Sequence, residues 1–142
     1  MNNFKSVLYT SSWNSEMSAA DLEKLYSLTA YAYRKEHRIT GVSIFIDRNV
    51  MQYLEGDSID VELIYNKAVA CNQSGYIEII NEPISERNFP DWNMAVDAPN
   101  ITGELKQSSN RWKNMLLMPD ISFSNKTCFR VLKNFWERTS RN

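Results

Sequence analysis

Tyr9 and Gln52 are the residues of this 142-residue chain whose types and placement can do chemistry beyond packing. They sit in the stretches Val7-Leu8-Tyr9-Thr10-Ser11 and Met51-Gln52-Tyr53-Leu54-Glu55-Gly56. A carboxamide offers an acceptor oxygen and a donor NH2, and a phenol offers both roles in one hydroxyl. On neighbouring strands the two share one switchable hydrogen bond, which a ligand lying beside them can read in either sense. The plain alternative is a Tyr at a strand edge and a solvated Gln, since both types occur in half-buried strands.

The elements that must position this pair are legible as periodicities. Lys5 to Thr10 reads as a first strand. Ser18 followed by Asp21 is a capping-box variant, and Leu22, Leu25, Tyr26, Thr29 and Tyr33 then recur on one helical face, predicting a helix that ends near Glu36 or His37. Val42 to Ile46 and Val50 to Leu54, around Asp47-Arg48-Asn49, predict a hairpin. Ser58 is expected to cap a second helix with Val61, Ile64, Tyr65 and Ala68 inward and Gly75 as its stop. Tyr76 to Ile80 predicts a fourth strand, Pro83 to Asp91 an irregular connection, and Trp92 to Val96 a fifth strand. Strand, helix, hairpin, helix, strand is the split βαβ order of a ferredoxin-like α+β fold, βαββαβ with one extra strand.

After Pro99 the composition shifts to Lys, Asn and Ser with scattered large apolar residues. Trp112, Met115, Leu116 and Met118 predict a short helix ended by Pro119. Ser124 is expected to cap a last helix in which Phe129, Leu132, Phe135 and Trp136 share a face. Those stripes read as cover for the exposed side of the sheet rather than as a cofactor box, because a one-sided sheet needs such cover.

Bulk properties narrow the function classes. With 16 basic and 17 acidic residues and a net charge of −1, nothing suggests an electrostatic nucleic-acid binder. Residues 1–102 are net acidic and 103–142 net basic, so the tail is expected to pack on the body or to present a partner-binding surface. Cys71 and Cys128 are too few for a disulfide framework or a cysteine metal site. Met1-Asn2-Asn3-Phe4-Lys5 lacks a signal-type apolar run, and no stretch approaches membrane-spanning length, so a cytoplasmic protein with no membrane partner is expected.

Enzymatic readings find little to work with. His37 is the single histidine, which argues against a histidine triad, a two-histidine zinc site and a metalloprotease helix. It lies in Arg34-Lys35-Glu36-His37-Arg38 and reads as a solvated helix end. The four glycines form no phosphate-cradling loop. Glu55, followed by Gly56 and Asp57, reads as strand-end turn chemistry before it reads as an acid/base pair.

Four short words in order resemble the BLUF family, the flavin-binding blue-light sensors. Tyr9-Thr10-Ser11 matches the family's Tyr-x-Ser, and Ile39-Thr40-Gly41 matches its Ile-Thr-Gly. Gln52 to Gly56 matches its Gln-x-Leu-Glu-Gly, and Arg87, Phe89, Trp92 and Met94 match its Arg-x-Phe-x-x-Trp-x-Met. The resemblance covers roughly residues 4 to 97. It implies a flavin-binding domain over residues 1–98, with FAD as cofactor and its ring between the two helices, and it does not extend to residues 99–142, which the apolar stripes make the expected helical cap.

By the same resemblance Tyr9, Gln52, Trp92 and Met94 would form a photoswitch, and Ser11, Arg34, Ile39, Gln52, Leu54, Gln73 and Ser74 would line the cofactor. Arg34 stands where the family has a flavin-contacting Asn, and Cys71-Asn72-Gln73-Ser74 stands for the family's Asp-x-Arg-His. The switch residues are kept while the holding residues are replaced by groups of different hydrogen-bonding capacity. Two functions are therefore expected: a FAD photoreceptor without catalytic activity, or a flavin-free interaction or scaffold module. The first would signal through the sheet face or the C-terminal helices to a downstream protein, with no output domain expected after residue 142, and homo-oligomer formation is expected.

Overall fold

The computed structural model describes residues 3–13, 17–36, 38–70, 73–98, 100–119 and 126–139. The elements run β1 (Phe4–Trp13), α1 (Ala19–Ala30) extended by a π-helical turn (Tyr31–Glu36), β2 (Thr40–Ile46), β3 (Asn49–Asp57), α2 (Ser58–Ala70), β4 (Gln73–Ile84), β5 (Trp92–Val96), α3 (Gly103–Met115) and α4 (Lys126–Thr139). The sheet order is β4-β1-β3-β2-β5. Each of the first four strands runs antiparallel to its neighbours among them, and β5 is added parallel to β2. This is the expected ferredoxin-like sandwich with its extra strand.

Local chemistry explains most element ends. The Ser18 hydroxyl accepts from the Asp21 N–H at 3.1 Å and the Asp21 carboxylate accepts from the Ser18 N–H at 3.2 Å, closing the predicted capping box. Asp47 takes a left-handed backbone (φ 55°) that lets β2 turn into β3. The start of α2 corrects one expectation. Asp57, not Ser58, caps the helix, its carboxylate accepting from the Ile59 N–H at 3.0 Å, while the Ser58 hydroxyl donates to the Asn3 carbonyl at 2.6 Å. Gly75 is a second correction. It lies inside β4 rather than at the helix end, in a left-handed conformation (φ 62°). His37, Cys71, Asn72 and Ser124 lie outside the described residues.

The sheet has a core on each face. Val7, Leu54, Val61, Ile64, Trp92 and Met94 belong to the core beneath α1 and α2. On the other face Leu8, Val42, Ile44, Tyr53 and Ala95 meet Trp112, Phe129, Leu132 and Trp136, so the C-terminal apolar stripe covers the sheet as predicted. Phe135 packs half-buried against that core, whereas Met118 is exposed. α3 bridges the two faces across the β5 edge. Ile101 and Leu105 enter the first core and Trp112 the second, while the Ser108 and Ser109 hydroxyls between them accept the Met94 and Val96 N–H groups at 2.8 and 3.1 Å. The unpaired donors of an edge strand are thereby satisfied by a helix.

Candidate functional site

Strand register assembles the site. Tyr9 faces Gln52 across β1 and β3, Gln52 faces Ser43 across β3 and β2, and Ser43 faces Met94 across β2 and β5. Residues directly opposite one another present side chains to the same face. The four therefore form one row across the sheet, turned toward α1 and α2. Tyr9 is fully buried and Gln52 is 4% exposed. The Tyr9 hydroxyl donates to Gln52 Oε1 at 2.7 Å. At the other end of the amide, Nε2 donates to the Tyr33 hydroxyl at 3.0 Å.

Aromatic rings surround this bond. Tyr9 touches Tyr65 and Tyr76, with ring centroids 5.2 and 5.5 Å away. The slight burial of Tyr76, with the Glu78 carboxylate beside it, raises the pKa of its phenol. Trp92 stacks on Tyr26 at 5.8 Å, meets the Tyr33 ring edge-on at 5.1 Å, and donates its indole N–H to the Ser43 hydroxyl at 3.3 Å.

Between α1 and α2, Gln52, Ser43 and Met94 of this row border a cavity of about 330 Å³, which Tyr9 does not line. Leu25, Thr29, Ala32 and Tyr33 wall one side, Ile64, Lys67 and Ala68 the other, and Trp13, Ser43, Phe45, Gln52, Trp92 and Met94 the sheet side. Such a volume lies at the lower end of the roughly 300–1,000 Å³ of small-molecule sites and accommodates a flat ring system rather than an entire dinucleotide. The Trp13 indole nitrogen is buried with no hydrogen-bond partner among the described residues. Apolar walls, an orphaned indole donor and an amide that both donates and accepts fit a heteroaromatic ring with acceptors on its rim, as an isoalloxazine is.

Not all of the predicted cofactor contacts reach this space. Gln52 lines it, and so do Trp92 and Met94 of the predicted switch, whereas Arg34 does not. The Arg34 guanidinium forms a two-pronged pair with Asp91, at 3.0 and 2.9 Å, on the protein exterior. This fork-to-carboxylate geometry satisfies the charge where it stands. Ile39 and Leu54 are buried in the core beneath α1 and α2, and Ser11 is buried on β1 opposite Val50, without bordering the cavity. The backbones of Gln73 and Ser74 pair with Trp13 and Ser12 at the start of β4, and their side chains lie outside the described ones.

Glu55 has a different part from the one expected of it. It is fully buried, and its carboxylate accepts from the Tyr53 and Thr40 hydroxyls and from the Asn88 and Phe89 N–H groups, at 2.8 to 2.9 Å. Arg87 reinforces the join by donating to the Thr40 hydroxyl at 3.0 Å and to the Glu55 carbonyl at 3.2 Å. Burial, followed by the Glu55 charge, pushes the Tyr53 phenol far above its ordinary pKa. Three of the short words thus meet in one buckle that ties the loop before β5 to the sheet and so sets where Trp92 begins. Gly41 completes it. A Cβ there would lie 2.0 Å from the Tyr53 carbonyl oxygen, so only glycine lets β2 approach β3 at this point.

Tyr33, Ser43, Trp13 and Lys67 join the site without having been singled out for it. Tyr33 was legible only as one of the helical-face residues, and Ser43 only as a polar residue in an apolar strand. Among the described residues no cluster of His, Cys, Asp and Glu is placed to hold a metal, and no helix is long and apolar enough to cross a membrane.

Solved structures repeat this architecture. A bacterial light-regulated adenylyl cyclase matches with 18% identity and a TM-score of 0.62 over 93% of this chain and 36% of its own. Klebsiella pneumoniae BlrP1, in a complex with manganese and cyclic diGMP, matches with 16% identity and a TM-score of 0.68 over 97% of this chain and 34% of its own. BlrB, a BLUF protein in its dark state, matches with 19% identity and a TM-score of 0.58 over 81% of this chain and 85% of its own. The chain spans about a third of the length of the cyclase and of BlrP1, and at these identities the likeness shows the fold alone. No curated protein matches it. The model of the BLUF family, described as sensors of blue-light using FAD, matches residues 4–95, well over half of the chain. The row of Tyr9, Gln52, Ser43 and Met94 beside a ring-sized cavity therefore stands in a chain that belongs to the BLUF family.

Proposed function

We propose that this chain is a blue-light photoreceptor that takes the flavin ring of FAD into the cavity between α1 and α2 and signals to a partner protein. The observation that carries this reading is the 2.7 Å hydrogen bond from Tyr9 to Gln52 Oε1, buried at the wall of that cavity. Gln52 and the Trp13 indole would hold the ring, and the exposed Lys67 would serve the phosphates, a cation taking over from the family residues that are replaced. When bound, the flavin supplies a light-excited oxidant. Tyr9 is an oxidisable phenol whose proton already lies on a hydrogen bond to the amide. Transfer of an electron and of that proton from Tyr9, followed by the return of both, would leave Gln52 free to settle in a different orientation, and in a site of low dielectric each such bond is consequential.

From the amide the change has a short way to travel. Tyr33 holds Gln52 and packs edge-on against Trp92, which together with Met94 opens β5. The Met94 and Val96 N–H groups are held by serines of α3. On this reading residues 1–98 sense light, and residues 99–142 present the change to a partner. The test is blue illumination of the protein reconstituted with FAD. A red shift of the flavin band that reverses in the dark is expected. A protein that takes up no FAD contradicts the reading and leaves the flavin-free interaction module.

A further inference from the structure

Gln52 is held at both ends by phenols, Tyr9 at Oε1 and Tyr33 at Nε2, and the amide is 4% exposed. We infer that Tyr33 is a second positioning residue of the switch, one that keeps the rotated amide hydrogen-bonded and so sets how long the light-adapted state lasts. This rests on the photoreceptor reading above.

The inference follows from a hydrogen-bond count. Turning the carboxamide end for end exchanges its oxygen and its NH2. Tyr9 then meets an N–H and accepts from it, and Tyr33 meets a carbonyl oxygen and donates to it. A phenol can take either role by turning its hydrogen, whereas a carbonyl or an indole N–H has only one. Two phenols on opposite ends therefore leave two hydrogen bonds in either orientation, which is what a bistable element requires. With an apolar ring at position 33, the group of the amide that faces it, NH2 or oxygen, has no partner in either orientation, so the rotated amide is no longer held at that end and turns back more readily.

Tyr33 is also placed to report the orientation. It comes from the π-helical turn Tyr31–Glu36, a widened helix geometry that recurs at functional positions. Its ring lies edge-on to Trp92 at 5.1 Å. Tyr26 stacks on the same indole at 5.8 Å and serves as an internal control.

Tyr33→Phe, with Tyr26→Phe as control, is measured in two forms of the protein. In the FAD-loaded form Tyr33→Phe is expected to shift red on illumination and to revert in the dark about tenfold faster than the parent, the factor that corresponds to one ordinary buried hydrogen bond. In the ligand-free form, nitrogen-15 NMR is expected to show hydrogen exchange of the Gln52 side-chain NH2 about tenfold faster. Tyr26→Phe is expected to leave both quantities unchanged. If the parent is photoactive and Tyr33→Phe reverts at the parental rate, the inference is overturned. Unchanged exchange of the Gln52 NH2 overturns it as well, whether or not FAD binds. A parent that binds no FAD defeats the photoreceptor reading instead, and the exchange measurement still decides whether Tyr33 holds the amide.

Discussion

The two faces of the sheet are built from alternate residues of the same strands and are packed in opposite ways. Leu8, Val42, Ile44, Tyr53 and Ala95 point to the C-terminal helices and are closed over by Trp112, Phe129, Leu132 and Trp136. Their neighbours Tyr9, Ser43, Gln52 and Met94 point the other way; Ser43, Gln52 and Met94 border a cavity of about 330 Å³, and Tyr9 stands behind Gln52, hydrogen-bonded to it. A filled face supplies burial, and a hollow face keeps room for a ligand and for a side chain to turn. One strand can serve both because successive side chains alternate between faces. On the photoreceptor reading, stability and switching fall to different sides of a single sheet.

The largest effect should come from uncovering the filled face. Burial of Phe129, Leu132 and Trp136 contributes about 1.5–3 kcal/mol for each side chain, a substantial share of the roughly 5–15 kcal/mol that holds a small domain together. Deleting residues 121–142 is expected to cause aggregation or a strong fall in Tm, read by thermal unfolding and size-exclusion chromatography. A truncated protein that remains monomeric and equally stable would remove the distinction between the faces.

Glu55→Gln comes next. The buried carboxylate accepts from two hydroxyls and two backbone N–H groups. An amide keeps only one acceptor oxygen and turns an NH2 toward donors. A loss of about 3 kcal/mol is expected in urea unfolding, since unsatisfied buried donors cost about 1–3 kcal/mol each. A loss below about 1 kcal/mol would mean that the buckle before β5 is held by other contacts.

Gln52→Ala on the hollow face should be milder. It removes two hydrogen bonds between neutral groups, where Glu55→Gln disturbs four at a carboxylate, so about 2 kcal/mol or less is expected in the same measurement. A destabilisation as large as that of Glu55→Gln would show that the amide is a structural member rather than a movable part.

How far the sequence revealed these faces depended on distance along the chain. The stripe of Phe129, Leu132, Phe135 and Trp136 was readable because helical spacing is local, and the Ser18–Asp21 box was readable for the same reason. Tyr9 and Gln52 were recognisable from their short words, yet their direct pairing is a matter of strand register, which joins residues 43 positions apart. Arg34 shows the opposite failure. Its place near the end of the first helix was right, and its partner Asp91, 57 positions away, could not be seen. Tyr33 was read as a helical-face residue because its ring is one. That its hydroxyl reaches Gln52 follows from the closing of α1 onto the sheet. Glu55 was misread because a carboxylate before Gly56 looks like turn chemistry until the loop before β5 folds back over it.

The smallest predicted effect lies where α1 meets the start of α3. The Thr102 hydroxyl and N–H donate to the exposed Glu23 carboxylate at 2.7 and 2.8 Å and hold its pKa below the ordinary 4.5. A lowered folded-state value contributes stability above the ordinary pKa and loses it as pH falls through the folded value. Glu23→Gln is therefore expected to reduce slightly the difference in Tm between neutral and strongly acidic solution. An unaltered difference would mean that this tie adds nothing.

The central claim, that the hollow face is a light switch made of Tyr9 and Gln52, is tested most directly by the light-minus-dark absorption spectrum of FAD-loaded Tyr9→Phe and Gln52→Ala beside the parent. The parent is expected to show the red shift, and both variants are expected to bind FAD, keep their fold and show none. A normal reversible red shift in Tyr9→Phe would contradict the account.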